Sequence, residues 1–215
     1  MPAEQVSLLT QGLESARSFL WRTTRVSIDG VTLSIEGRGR PGEGAKVDLP
    51  ATIKIFVEHP MWADAPSWLV AKTAAHEYYH VVQATLSRLV TATILPQWLK
   101  EGSAELFGFS VVADAGLYDY GTARSEVIAR AKTFTETLPR CGGDCAYPLG
   151  FVAAEYVARP GGLARLSSLF TALGGGAAIN KSGPLAAFWR SSFQRVFRMP
   201  LERFYAAFES YRRTL

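Results

Sequence analysis

The run His76-Glu77-Tyr78-Tyr79-His80 combines residue types and a spacing that can do chemistry. It lies in a stretch, Ser67 to about Thr93, that reads as helical and is not interrupted by Gly or Pro. Four residues turn an α-helix by about 400°, so His76 and His80 stack on one face, one turn apart. Two imidazoles at that spacing can grip one divalent ion. Glu77 flanks the same face and can reach a metal-bound water without ligating the metal. The same five residues would also suit a surface helix with two unrelated histidines, and the sequence downstream has to separate the two readings.

A catalytic zinc needs a third protein ligand and an open coordination position. Downstream of His80 comes Trp98-Leu99-Lys100-Glu101-Gly102-Ser103-Ala104-Glu105. On a helix Glu101 and Glu105 share a face, and either carboxylate could serve. The pair H-E-x-x-H and W-L-x-E-G resembles the gluzincin metallopeptidases: thermolysin-like enzymes, zinc aminopeptidases and the small peptidase MA-like proteins. The resemblance implies a minimal zincin-like fold in which His76, His80 and Glu101 bind zinc and Glu77 is the general base. It places Glu105 where a carboxylate accepts the free N–H of a ligand histidine and fixes its orientation. The rival assignment makes Glu105 the ligand.

A second match is Tyr147-Pro148-Leu149-Gly150-Phe151, which resembles the Y-x-x-G-F element of zinc aminopeptidases. The resemblance implies that the Tyr147 hydroxyl donates to the oxyanion of a tetrahedral intermediate; a buried tyrosine at a helix start is the plainer reading. The G-x-M-E-N element that binds a free amino terminus in those enzymes is absent, so the expected activity is that of an endopeptidase. Zinc would lower the pKa of its water towards roughly 7, and Glu77 would take the proton and pass it to the leaving amine. The implied partner is a peptide or protein substrate. A catalytically idle zincin fold with a binding or regulatory role is the alternative, against which the presence of Glu77 speaks.

The elements that must position these residues read as strands first and helices after, an α+β chain with a small N-terminal sheet and a mostly helical C-terminal part. One gluzincin-like domain over 1–215 is expected: N-terminal helix and sheet to about 66, metal-binding helices over 67–113, and a helical subdomain over 114–215. Residues 4–20 show helical apolar spacing. Val26 to Ile35 alternates around Asp29-Gly30, which predicts a hairpin. Residues 37–50 read as a mobile loop. Thr52 to Val57 reads as a strand, and as the edge along which an extended substrate would pair. Further helices are expected over 97–113, 123–136, 149–158, 162–172, 184–197 and 200–213, with Gly174-Gly175-Gly176 as a separator. His59 reads as a surface residue before Pro60, and Trp62, Trp68 and Trp98 as core or cleft walls.

Composition narrows the function classes. Of 215 residues, 48% are hydrophobic and 20% charged, close to the globular average, which excludes disorder as the main state. The net charge of +4 resides in the C-terminal stretch 187–215, where six arginines face only Glu202 and Glu209. A local basic tail is not the broad stripe that nucleic-acid binding needs, so no nucleic acid is expected. Those arginines read as a solvated face, with an anionic membrane or partner surface as the sharper idea. No segment reaches the apolar length of a membrane span, and Val81 to Leu95 is broken by Gln83, Ser87 and Arg88. The start Met1-Pro2-Ala3-Glu4-Gln5 lacks a basic region and an apolar core, so no secretory signal is expected and cytoplasm is the default. Cys141 and Cys145, in Cys-Gly-Gly-Asp-Cys, suit a small-loop disulfide or free thiols equally, and two cysteines make a poor zinc site. Substrate identity and oligomeric state are not written in the chain.

Overall fold

The computed structural model describes residues 3–88, 95–159, 161–176 and 185–215. Helix α1 (Ala3–Thr24) is followed by strands β1 (Thr32–Glu36), β2 (Ala45–Asp48) and β3 (Thr52–Phe56) and a 3₁₀ turn at Pro60–Trp62. Then come α2 (Ser67–Leu86), α3 (Gln97–Asp114), α4 (Tyr120–Ala131), two 3₁₀ turns, α5 (Pro148–Ala158), α6 (Gly162–Gly176), α7 (Leu185–Phe197) and α8 (Leu201–Arg212). The fold class is α+β, a small three-stranded mixed sheet followed by a helical part. No helix among the described residues is long and apolar enough to cross a membrane. The chain divides into two compact units, Met1–Val82 with Phe107–Tyr120, and Gln83–Leu106 with Gly121–Leu215, so that α2 and α3 each run from one unit into the other.

In the first unit the sheet order is β1-β3-β2, with β3 parallel to β1 and antiparallel to β2. Ile53 and Ile55 point to the buried face, as alternation requires, while Lys54 on the other face bridges Glu36 of β1 at 2.8 Å and Asp48 of β2 at 2.9 Å. This topology corrects three expectations. The strand at Thr52 is central, not an edge, so its main-chain groups are already used by both neighbours. Residues 37–50 are not all loop: Ala45–Asp48 forms β2 because Val47 and Ala45 pair opposite Ile53 and Ile55. The hairpin around Asp29-Gly30 does not form. Gly30 does adopt the left-handed turn conformation, but residues 26–31 form no strand. They are held by side chains instead, Tyr78 donating to the Ile28 carbonyl at 3.2 Å and Arg17 to Asp29 at 2.7 Å. β1 then finds its partner in β3.

Helix α1 lies on α2 through Gly12, where a Cβ would come within 2.5 Å of the Ala71 carbonyl oxygen. The later turns of α3 pack by rings: Phe107 stacks on Tyr79 at 4.6 Å and meets Phe19 edge-on at 5.7 Å. Trp68 stacks on Tyr118 at 4.2 Å. Trp62 is buried, its indole N–H donating to the Phe56 carbonyl.

In the second unit the core is aromatic and aliphatic: Trp98, Phe151, Phe170, Phe193, Phe204 and Phe208 are fully buried. The helix expected over 123–136 ends at Ala131. The Phe134 and Glu136 carbonyls are taken by the Arg212 guanidinium. The glycine run Gly174 to Gly176 is the last turn of α6, not a separator. A Cβ on Gly174 would lie 2.1 Å from the Leu86 carbonyl, so glycine is what lets α6 reach the end of α2. There α2 stops, short of the expected Thr93, with Arg88 in the left-handed conformation at φ 52°; residues 89–93 of that expected helix lie outside the described residues. Cys141 and Cys145 form a disulfide.

Candidate metal centre

Helix α2 is apolar around most of its circumference, and burial follows: Val70, Ala71, Ala74, Ala75, Tyr78, Tyr79, Val81 and Val82 are all at or near zero exposure. It is not a surface helix with incidental histidines. His76 (5% exposed) and Glu77 (8%) are buried within it. Burying such groups costs free energy unless they are compensated, which makes their location informative. Of ten buried polar or charged residues among those described, eight lie on α2, just after it, or on α3: Lys72, Thr73, His76, Glu77, Gln83, Ser87, Ser103 and Glu105. Polarity is concentrated where the sequence carries its motifs.

Helical geometry brings His76 and His80 together, Nε2 to Nε2 at 3.1 Å, with the rings at 84° to each other. Ring nitrogens of His76 and His80 and a carboxylate oxygen of Glu101 all lie within 4.8 Å of one another. Glu105, a turn further on and also buried, is not a member of that group. The set is two imidazole nitrogens and one carboxylate oxygen, donor types that suit a divalent transition-metal ion. Two ligands bound about 2.0–2.1 Å from a tetrahedral ion stand roughly 3.3 Å apart, so the imidazole pair is already close to a chelating separation. Lys100 Nζ lies 3.2 Å from Glu101 Oε1, so the carboxylate faces a positive charge in the protein alone. His80 and Glu101 are part-buried, which leaves an approach from solvent.

Glu101 is positioned by its neighbours in the W-L-x-E-G run. Trp98 is fully buried, stacks on Phe204 at 5.4 Å and anchors the start of α3. Gly102 removes the side chain where α5 crosses: a Cβ there would sit 2.0 Å from the Gly150 carbonyl carbon, and one on Gly150 would sit 2.2 Å from the Trp98 oxygen. The glycines of the two motifs therefore meet backbone to backbone. That crossing lies three residues after Tyr147, so the start of α5 abuts the turn of α3 that carries Glu101. Tyr147 is 38% exposed, contrary to the plainer expectation of a buried ring. The disulfide loop just before it is tied to α3 as well, Gly143 N–H donating to Gln97 Oε1 at 2.8 Å.

His59 accepts from the Met61 N–H through Nδ1 at 3.2 Å and caps the 3₁₀ turn, a structural task. Two features escaped the sequence reading: the glycine crossing and Gln83. The signal for the second was present. Gln83 stands seven residues from His76 and three from His80, a polar residue on the same helix face between Val82 and Ala84. Compared with protein-family models, curated proteins and solved structures, the chain gives no match.

Proposed function

We propose that this protein is a zinc-dependent metallopeptidase of gluzincin type, cleaving internal peptide bonds. The observation that carries the proposal is the convergence of His76, His80 and Glu101 donor atoms within 4.8 Å. The resemblance of H-E-x-x-H and W-L-x-E-G to that family supports it. In this reading His76 and His80 present neutral imidazoles and Glu101 its carboxylate to the ion. A zinc ion held this way supplies Lewis acidity and an acidified water at neutral pH. Glu77, adjacent to His76 but outside the ligand group, is the proton acceptor and later the donor to the leaving amine. Its burial strengthens its interaction with charge in the site, because little water is there to screen it. Glu105 orients a ligand imidazole. Tyr147, exposed at the start of α5, donates its hydroxyl to the developing oxyanion, a contribution of about 3 kcal/mol for such a donor.

Metal analysis with activity profiling tests the proposal. Purified protein should carry one zinc per chain and cleave members of a peptide library. Glu77→Gln should retain zinc and lose about 10²–10⁴-fold in activity. Glu101→Ala should lose zinc. Cleavage by Glu77→Gln at the wild-type rate would overturn the mechanism, and zinc without cleavage in the wild type would leave a binding protein.

A further inference from the structure

We infer that Gln83 is a positioning residue for the metal centre, setting the rotation of α3 that aims Glu101 at the histidines. The inference rests on the zinc reading above and adds a residue that the H-E-x-x-H and W-L-x-E-G motifs do not contain. Gln83 is 1% exposed. A primary amide buried that deeply is costly unless its donors are used. Its Nε2 donates to α3, to the Lys100 carbonyl at 2.8 Å and to Ser103 Oγ at 2.9 Å. They bracket Glu101, one residue before it and two after.

His76, His80 and Gln83 follow one another at i, i+4 and i+7, so the clamp extends the ligand face by one more turn. An apolar residue at 83 would fill the same space without choosing between turns of α3. A slip of one residue along a helix rotates its side chains by about 100°, enough to turn Glu101 away. A directional amide bonded to two named atoms has one satisfied register. Buried polar groups are best attested in this use, as markers of register and not as sources of stability. Ser103 contributes from the other side: fully buried, its hydroxyl lies 2.9 Å from the amide and 3.5 Å from the Lys100 carbonyl.

The experiment uses the full chain and reads the metal itself. Zinc affinity is measured by competition with a chromophoric chelator, and the visible absorption of the cobalt(II)-loaded protein reports coordination geometry. Gln83→Leu keeps the volume and removes the donors; it should weaken zinc binding about 10-fold and change the cobalt spectrum. Gln83→Glu, with the same shape but at most one donor in place of two, should do the same. Ser103→Ala should cause a smaller loss and serves if the Gln83 variants do not fold. Phe107→Leu, which perturbs α3 away from the clamp, should lower the urea midpoint while leaving affinity and spectrum unchanged. Wild-type affinity and an unaltered spectrum in Gln83→Leu, or in Ser103→Ala where only that variant folds, would overturn the inference and leave the zinc reading standing. If the wild-type protein binds neither zinc nor cobalt, the zinc reading fails and the inference fails with it.

Discussion

The two halves of α3 are packed by different means. Beside the Trp98 ring on Phe204, its first turns meet their neighbours through backbone and amide, Gly102 against Gly150 and Gln83 on Lys100 and Ser103. Its later turns meet theirs through rings, Phe107 on Tyr79 and Phe109 on Trp68. Ring packing sums many weak contacts and tolerates small shifts. A backbone contact with no intervening Cβ, or a hydrogen bond with two fixed acceptors, admits little movement. The stiff half is the one that carries Glu101. Stability can come from either kind of packing, but a donor atom that must meet two others needs the stiff kind.

Substitutions at the two halves should therefore differ in kind as well as size. The largest effect is expected at the crossing. Gly102→Ala places a Cβ 2.0 Å from a backbone carbon that cannot rotate away, so a loss of about 3 kcal/mol or more is expected, with zinc content falling too. Urea unfolding and metal analysis measure both, and wild-type values would show that α5 moves freely over α3. Next comes the ring half. Phe107→Leu should cost ~1–2 kcal/mol in urea unfolding and leave the zinc stoichiometry at the wild-type value. Loss of zinc from that variant would erase the distinction between the halves.

The smallest effect is expected at Tyr78, which faces away from His76 and His80 on α2. Burial pushes its hydroxyl up to about 12, so it remains a donor to the Ile28 carbonyl at neutral pH. An unfolded tyrosine ionises near 10. Between those values the unfolded chain loses the proton first, so this contribution is present below pH 10 and disappears as the pH rises towards 12. Tyr78→Phe should cost ~1 kcal/mol at pH 7 and make the alkaline decline shallower. Some decline should remain, because burial also raises Tyr205. An unchanged alkaline profile in Tyr78→Phe would mean that other groups govern it.

Much of the helical part was legible because helix signals are local. Apolar spacing marked α1, a run free of Gly and Pro marked α2, and Pro148 marked the first turn of α5. The sheet was read less well, because pairing is not local. Asp29-Gly30 turns the chain as its type demands, yet the alternation beside it did not become a hairpin; Tyr78 and Arg17 claimed one side of it. Thr52–Phe56 was visible as a strand but its central place was not, since nothing within those five residues says how many partners they have. The disulfide was left open for a similar reason: the glycines permit it, and only the folded loop brings the sulfurs together.

The amino-acid sequence by itself determined that two imidazoles share a helix face with a carboxylate beside them, because 3.6 residues per turn leaves no other arrangement once the segment is helical. The tertiary structure decided which acid joins them. Glu101 and Glu105 are equivalent by helical spacing, and what separates them is the register of α3, held by Gln83 and by the meeting of Gly102 with Gly150. That register depends on residues distant in the chain, which local periodicity does not encode.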